Sequence, residues 1–225
     1  MPLQENLALA QKAASYTHAA IYGASNKPAD IDKSAQEHPQ GKGLDKVKSL
    51  FVKPPFNPRP ALDASSVQKM RDKEIKPAMA KADSQHEKIL VVADIAQLRQ
   101  MGNCGEQSSV AYKYLYDTRH CDCCFTLCKI GYNHEFVVLG VGAADITGNS
   151  LGHYRVNVAP ALWPADAVIC DPWYGQCYGV AQGWPTHIPR TLALTEPTWH
   201  ILITKLVPVQ SFAWINSPAL SSSRF

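Results

Sequence analysis

The sequence predicts an α+β protein in which helices come first and an antiparallel sheet follows. Three observations carry this. Helical spacing and helix-capping residues fill the stretch from Asp63 to Tyr116. After His120 the pattern changes to short apolar runs bounded by Gly, Asn and Pro. Helices then strands, in that order, is the signature of segregated α and β layers.

Taken in order, residues 3–22 predict a helix whose apolar face is mostly small: Leu7, Leu9, Ala10, Ala13, Ala14 and Ala20. Gly23 to Asp45 is polar. Residues 51–60 hold four prolines, so they can be neither helix nor central strand and are expected to run extended. Asp63, Ser65 or Ser66 can cap a helix running towards Lys81, and a second helix is expected over Ser84 to Arg99. Met101-Gly102-Asn103 breaks it, and a third helix starts at Cys104 and ends near Tyr116. Strands are expected over Cys124–Ile130, His134–Val141, Ala165–Asp171 and Trp199–Val207. The domain division expected is a helical and proline-rich extension over 1–62, a catalytic domain over 63–210 and a flexible tail or linker over 211–225. A chain beginning near residue 62 is expected to keep the catalytic geometry. The extension is expected to cover the cleft or to hold a regulatory protein partner.

The chain has 225 residues, 46% hydrophobic and 18% charged, enough for one substantial core. A formal net charge of +3 is too near balance to argue for nucleic-acid binding. No run approaches the roughly 18 apolar residues of a membrane span. The opening residues lack a basic stretch followed by an apolar one, so no cleavable signal peptide is expected. Seven cysteines, an odd number, argue against a disulfide framework and for reduced thiols.

Three short segments carry chemistry. In Gly102-Asn103-Cys104-Gly105 a cysteine opens a helix. The unpaired N–H groups and dipole of a first helical turn favour a thiolate and can hold a developing oxyanion. In Tyr132-Asn133-His134-Glu135-Phe136 a histidine starts a strand, oriented yet accessible, as a general base must be. In Val168-Ile169-Cys170-Asp171-Pro172-Trp173 an aspartate ends an apolar strand. A buried carboxylate needs a partner, and an imidazole N–H is the natural one. Each residue alone has a structural explanation: a buried cysteine, a core histidine, a turn-capping aspartate. Together they form a Cys104–His134–Asp171 triad.

Gly102-Asn103-Cys104, His134-Glu135-Phe136 and Asp171-Pro172-Trp173 resemble the three motif positions of the transglutaminase-like branch of the papain-like superfamily. That resemblance covers roughly residues 95–205. It implies a papain-like or transglutaminase-like core, a helix bearing the nucleophilic cysteine packed on an antiparallel sheet. It also implies acyl-transfer chemistry on protein substrates: transglutamination or glutamine deamidation, or, alternatively, proteolysis. The likeness to bacterial effectors implies a secreted protein acting on host proteins in the host cytosol, and otherwise a cytoplasmic one. No cofactor is implied. The His–Asp spacing is longer than the family's usual one, so residues 143–163 are expected to be an inserted loop. Oxyanion candidates are the side chains of Gln97, Gln100 and Asn103, and the backbone N–H of Cys104.

Two further readings compete. His120, Cys121, Cys123, Cys124 and Cys128 form a compact cluster that invites zinc, but no second ligand pair stands at a convincing distance apart from Cys170 and Cys177, so no metal is expected. A catalytically inactive domain used as a binding module would keep the fold and lose the triad. The aromatics after the Asp strand, among them Trp173, Tyr174 and Trp184, are expected to line the cleft.

Overall fold

The computed structural model describes residues 2–37, 62–118, 125–130, 134–141, 153–155, 163–183 and 200–207. The proline run, most of the 121–128 cysteine cluster, most of the expected 143–163 loop, Trp184 and the 211–225 tail lie outside them.

Helix α1 (Leu3–Ala20) buries Asn6, Leu9, Ala10, Ala13, Ala14 and Thr17. Its small residues let its backbone lie close to its neighbours. Thr17 satisfies its hydroxyl by donating to the Ala13 carbonyl at 2.9 Å. The sequence assigns this helix to an extension, but it lies in the central core. Leu9, Ala10, Ala13 and Ala14 cluster with Ile89, Tyr112, Leu115, Val137, Leu139, Val168 and Cys170.

A short helix, α2 (Pro28–Glu37), stands in a stretch the sequence marks only as polar. Pro28 occupies the first helical position, where its missing N–H costs nothing. Asp30 accepts the Ala24 N–H at 2.8 Å, and buried Ser34 accepts the Leu62 N–H at 2.7 Å. These anchors compensate for a sequence in which Ile31 is the one large aliphatic residue.

The helix expected from Ser66 towards Lys81 is broken in character. It runs as α3 (Ser66–Met70), a π-helical turn (Arg71–Ile75) and α4 (Lys76–Met79). Pro77 supplies the reason: it has no N–H, and its ring would press on the Lys73 carbonyl in a regular α-helix. The widened turn relieves this, with Lys76 N–H bonding back to Arg71. Val67, Met70 and Ile75 hold the segment against the body.

Helix α5 (Gln85–Arg99) starts on a capping box: Ser84 Oγ accepts the Glu87 N–H, and the Glu87 carboxylate accepts the Ser84 N–H. It ends with Gln100 in the left-handed region, φ 54°. Helix α6 (Cys104–Asp117) follows after four residues and packs along α5, with Val110 against Ala93, Ala96 and Ile21.

The strands are β1 (Phe125–Ile130), β2 (His134–Leu139), β3 (His153–Arg155), β4 (Val168–Asp171), β5 (Gln176–Gly179) and β6 (His200–Val207). They form one antiparallel sheet in the order β3-β6-β1-β2-β4-β5. An α+β architecture with an antiparallel sheet is thus what the chain adopts. β3 and β5 are additions to the four expected strands. Along β2 and β4, Val137, Leu139, Val168 and Cys170 face the helices, while Phe136, Val138 and Ile169 on the alternate face are buried as well. β2 pairs with β4 through Val138↔Ile169. Continued by two residues, that register sets Asp171 opposite Phe136, on the same face as His134 and one side chain along. Among the described residues no helix is long and apolar enough to cross a membrane.

Candidate active site

Cys104 is the first residue of α6, partly exposed and outside any disulfide. The turn before it is tightly built. A Cβ on Gly102 would come within 2.5 Å of the Glu106 Cβ, so only glycine fits there. Glu106, in the first turn of α6, accepts the Asn103 N–H at 3.0 Å. Gln107 donates from its side chain to the Gly102 carbonyl at 2.8 Å. Ser108 Oγ donates to the Glu135 carbonyl at 2.7 Å, tying the helix to β2 beside His134.

His134 is 3% exposed, as is Asp171, and its Nε2 lies 2.6 Å from Asp171 Oδ2. The second Asp171 oxygen accepts the Tyr174 N–H at 3.2 Å. With Nε2 occupied, Nδ1 is the nitrogen left for the Cys104 thiol, with which His134 also hydrogen-bonds. Burial alone would drive the imidazole towards neutrality. Hydrogen bonds to Asp171 and Cys104, and their charges, outweigh burial and raise its pKa to about 9. His134 is therefore an imidazolium at neutral pH, paired on one side with a carboxylate and on the other with sulfur. The structure thus brings Cys104, His134 and Asp171 together.

Aromatic rings wall this pair. Trp173 and Tyr174 meet the imidazole edge-on at 5.8 and 5.3 Å, and Phe136 lies at 6.0 Å. Both Trp173 and Tyr174 sit in the turn between Asp171 and Gln176, where Gly175 takes φ +69°.

A strap from the N-terminal segment joins the two sides of the site. Tyr22 N–H donates to the Gln100 carbonyl at 2.7 Å, and Gly102 N–H donates to the Gly23 carbonyl at 3.1 Å. Ser25 Oγ donates to Asn103 Oδ1 at 3.4 Å, and Trp173 Nε1 donates to Asn26 Oδ1 at 3.2 Å. Lys27 donates to the Trp173 carbonyl and places its ammonium 4.5 Å from the centre of the indole ring. The sequence does not announce this strap and marks the stretch from Gly23 only as polar. Its polar residues carry no periodic signal.

The oxyanion candidates separate. Gln97 donates to the Tyr16 hydroxyl at 2.7 Å, and Tyr16 stacks on Tyr114. Tyr114 is ten residues beyond Cys104, about 15 Å along the helix, so Gln97 is turned towards α1 and not towards Cys104. Gln100 serves as the left-handed end of α5, its carbonyl taken by Tyr22. Asn103 stands directly before Cys104, with its side-chain oxygen on Ser25.

Two acidic or basic partners were missed from the sequence. Arg71, from the π turn, grips Glu106 with Nε at 2.6 Å and Nη2 at 2.8 Å. The Asn103-x-x-Glu106 spacing is itself a capping-box signal that could have singled out Glu106. Cys170 and Cys177 stand opposite each other across β4 and β5, hydrogen-bonded so that Cys177 is lowered and Cys170 raised in pKa. Among the described residues no three metal-binding side chains gather.

No protein-family model, curated protein or solved structure matches this chain.

Proposed function

We propose that the chain is a cysteine-nucleophile acyl-transfer enzyme acting on protein substrates, a transglutaminase or glutamine deamidase with a papain-like or transglutaminase-like core. The observation that supports this best is the buried 2.6 Å His134–Asp171 hydrogen bond beside the Cys104 thiol at a helix start. Asp171 holds the imidazole by Nε2 and stabilises its cationic form. Nδ1 then exchanges a proton with the thiol.

The Cys104 thiolate attacks the carboxamide carbon of a glutamine side chain. The oxygen takes the negative charge and is met by the N–H groups opening α6, that of Cys104 first. His134 gives its proton to the leaving nitrogen, ammonia departs, and a thioester remains on Cys104. His134, now neutral, takes a proton from the acceptor. A water acceptor releases glutamate; a lysine amine forms an isopeptide bond. Trp173, Tyr174 and Phe136 around the imidazole limit access of water, which favours the amine. The resemblance to effector enzymes extends the proposal to a bacterial protein modifying host proteins in the host cytosol.

Intact-mass analysis of candidate host proteins after incubation tests this reading. A gain of roughly one mass unit marks deamidation, and crosslinked species mark transglutamination. Both must vanish with Cys104→Ala. Fragments that depend on Cys104 would assign proteolysis instead, and products formed equally by Cys104→Ala would refute the proposal.

A further inference from the structure

The nucleophile has a support that the triad does not explain. Glu106 is 4% exposed, a carboxylate in the first turn of α6 two residues after Cys104. One of its oxygens accepts the Asn103 N–H, and both are gripped by Arg71. The fork geometry matters: Nε to Oε1 and Nη2 to Oε2 fix both the distance and the plane of the carboxylate. Arg71 reaches it from a π-helical turn, a widening that redirects side chains and is often found at functional sites. On the far side of Gly105 stands Glu135. A Cβ on Gly105 would lie 3.2 Å from Glu135 Oε2, so that carboxylate rests against the first turn of α6. Cys104 interacts electrostatically with His134 of β2, Tyr174 of the β4–β5 turn and Arg71 of the π turn, with Asp171 of β4 behind the imidazole, Glu106 on its own helix and Glu135 against Gly105. Arg71 and His134 are the cations of that set, set against three carboxylates.

We propose that Arg71 is a positioning residue for the nucleophile: by forking onto Glu106 it holds the Gly102–Asn103 turn, and with it the N–H groups and the sulfur that begin α6. This rests on the reading of Cys104 as nucleophile. A simple stability role would be met by any pair that fills the space. A positioning role requires the two-pronged grip and a positive charge on this side of the sulfur. Without Arg71 the turn loosens and the buried Glu106 carboxylate loses its counter-charge near the sulfur, which disfavours the thiolate. The pairing itself holds Arg71 firmly protonated, first through Glu106, with Cys104 and Glu135 adding to it.

The test uses the full chain and iodoacetamide, with Cys104 alkylation followed by peptide mass from about pH 5 to 9. Arg71→Met removes the grip but leaves Glu106 buried without its partner, which can unfold the region. Arg71→Met with Glu106→Gln avoids the stranded charge, and Arg71→Lys keeps the charge without the fork. The folded double variant removes one charge of each sign and should lose rate through the loosened turn alone; in folded Arg71→Met the reactivity profile should move upward by roughly 1 pH unit. At pH 6 that is about a tenfold loss of rate. Arg71→Lys should fall between this and the wild type. A folded double variant, or a folded Arg71→Met, whose profile superimposes on the wild type would overturn the inference while leaving the acyl-transfer reading intact. A wild-type Cys104 that is no more reactive than other thiols would remove that reading, and this inference with it.

Discussion

His134 keeps its proton past neutrality because Asp171 and Cys104 hold it from both sides against the cost of burial. Its pKa rises from 6.5 to about 9 on folding. A raised folded pKa stabilises fully below the unfolded value and loses that stabilisation as pH climbs through the folded one. The melting temperature should therefore fall between pH 6.5 and 9. His134→Gln should flatten this slope, and a slope unchanged in that variant would assign the effect elsewhere. The contribution is of the order of 3 kcal/mol at most, from the size of the shift. Asp171→Asn should fold but present the imidazole with an N–H and select the wrong tautomer. For a thiol nucleophile, already the stronger acid, the loss should be about two orders of magnitude in single-turnover rate. Wild-type rate in that variant would make Asp171 a turn cap only. All three residues of the proposed triad were legible in the sequence because each sits at an element boundary with turn residues beside it. Arg71 was not: its reach depends on a π turn, which Pro77 provokes but periodicity does not locate.

At the scale of elements, α1 and the α3–α4 segment carry the main departures from the sequence reading. The helix α1 was legible, but its place was not. Alanines bury little area each, so its face looks weak, yet Ala10 and Ala13 are fully buried against α6 and the sheet. Close backbone approach, not side-chain bulk, is what those alanines provide. Ala10→Leu should consequently overpack the interface and cost about 1–3 kcal/mol by denaturant unfolding. No change would mean that α1 is as peripheral as the sequence suggested. Gly140, just past β2, gives a second test. It takes φ +81°, and a Cβ there would meet the Asn6 amide at 2.8 Å. That amide donates to the Asp166 carbonyl at 2.8 Å, linking α1 to the entry of β4. Gly140→Ala should cost more than about 1 kcal/mol.

Across the whole molecule, the core and the site share the same supports. The expectation that a chain starting near residue 62 keeps the catalytic geometry conflicts with α1 in the core and the 22–27 strap across the site. Removing residues 1–61 exposes Tyr112, Leu115, Val168 and Cys170 and frees the Trp173 side chain. The truncated chain should lose its cooperative thermal transition. The order of helices and strands was readable from local patterns, whereas this dependence arises between residues more than seventy positions apart in sequence, such as Ser25 and Asn103. Cys104 is proposed as a nucleophile activated by His134 and Asp171. The most direct test of this is competitive labelling with iodoacetamide at mildly acidic pH, with each thiol mapped by peptide mass. Cys104 should be modified ahead of the other six cysteines in the wild type, and the preference should disappear in His134→Ala. Equal labelling of all exposed thiols, or a preference for Cys104 that survives His134→Ala, would contradict it.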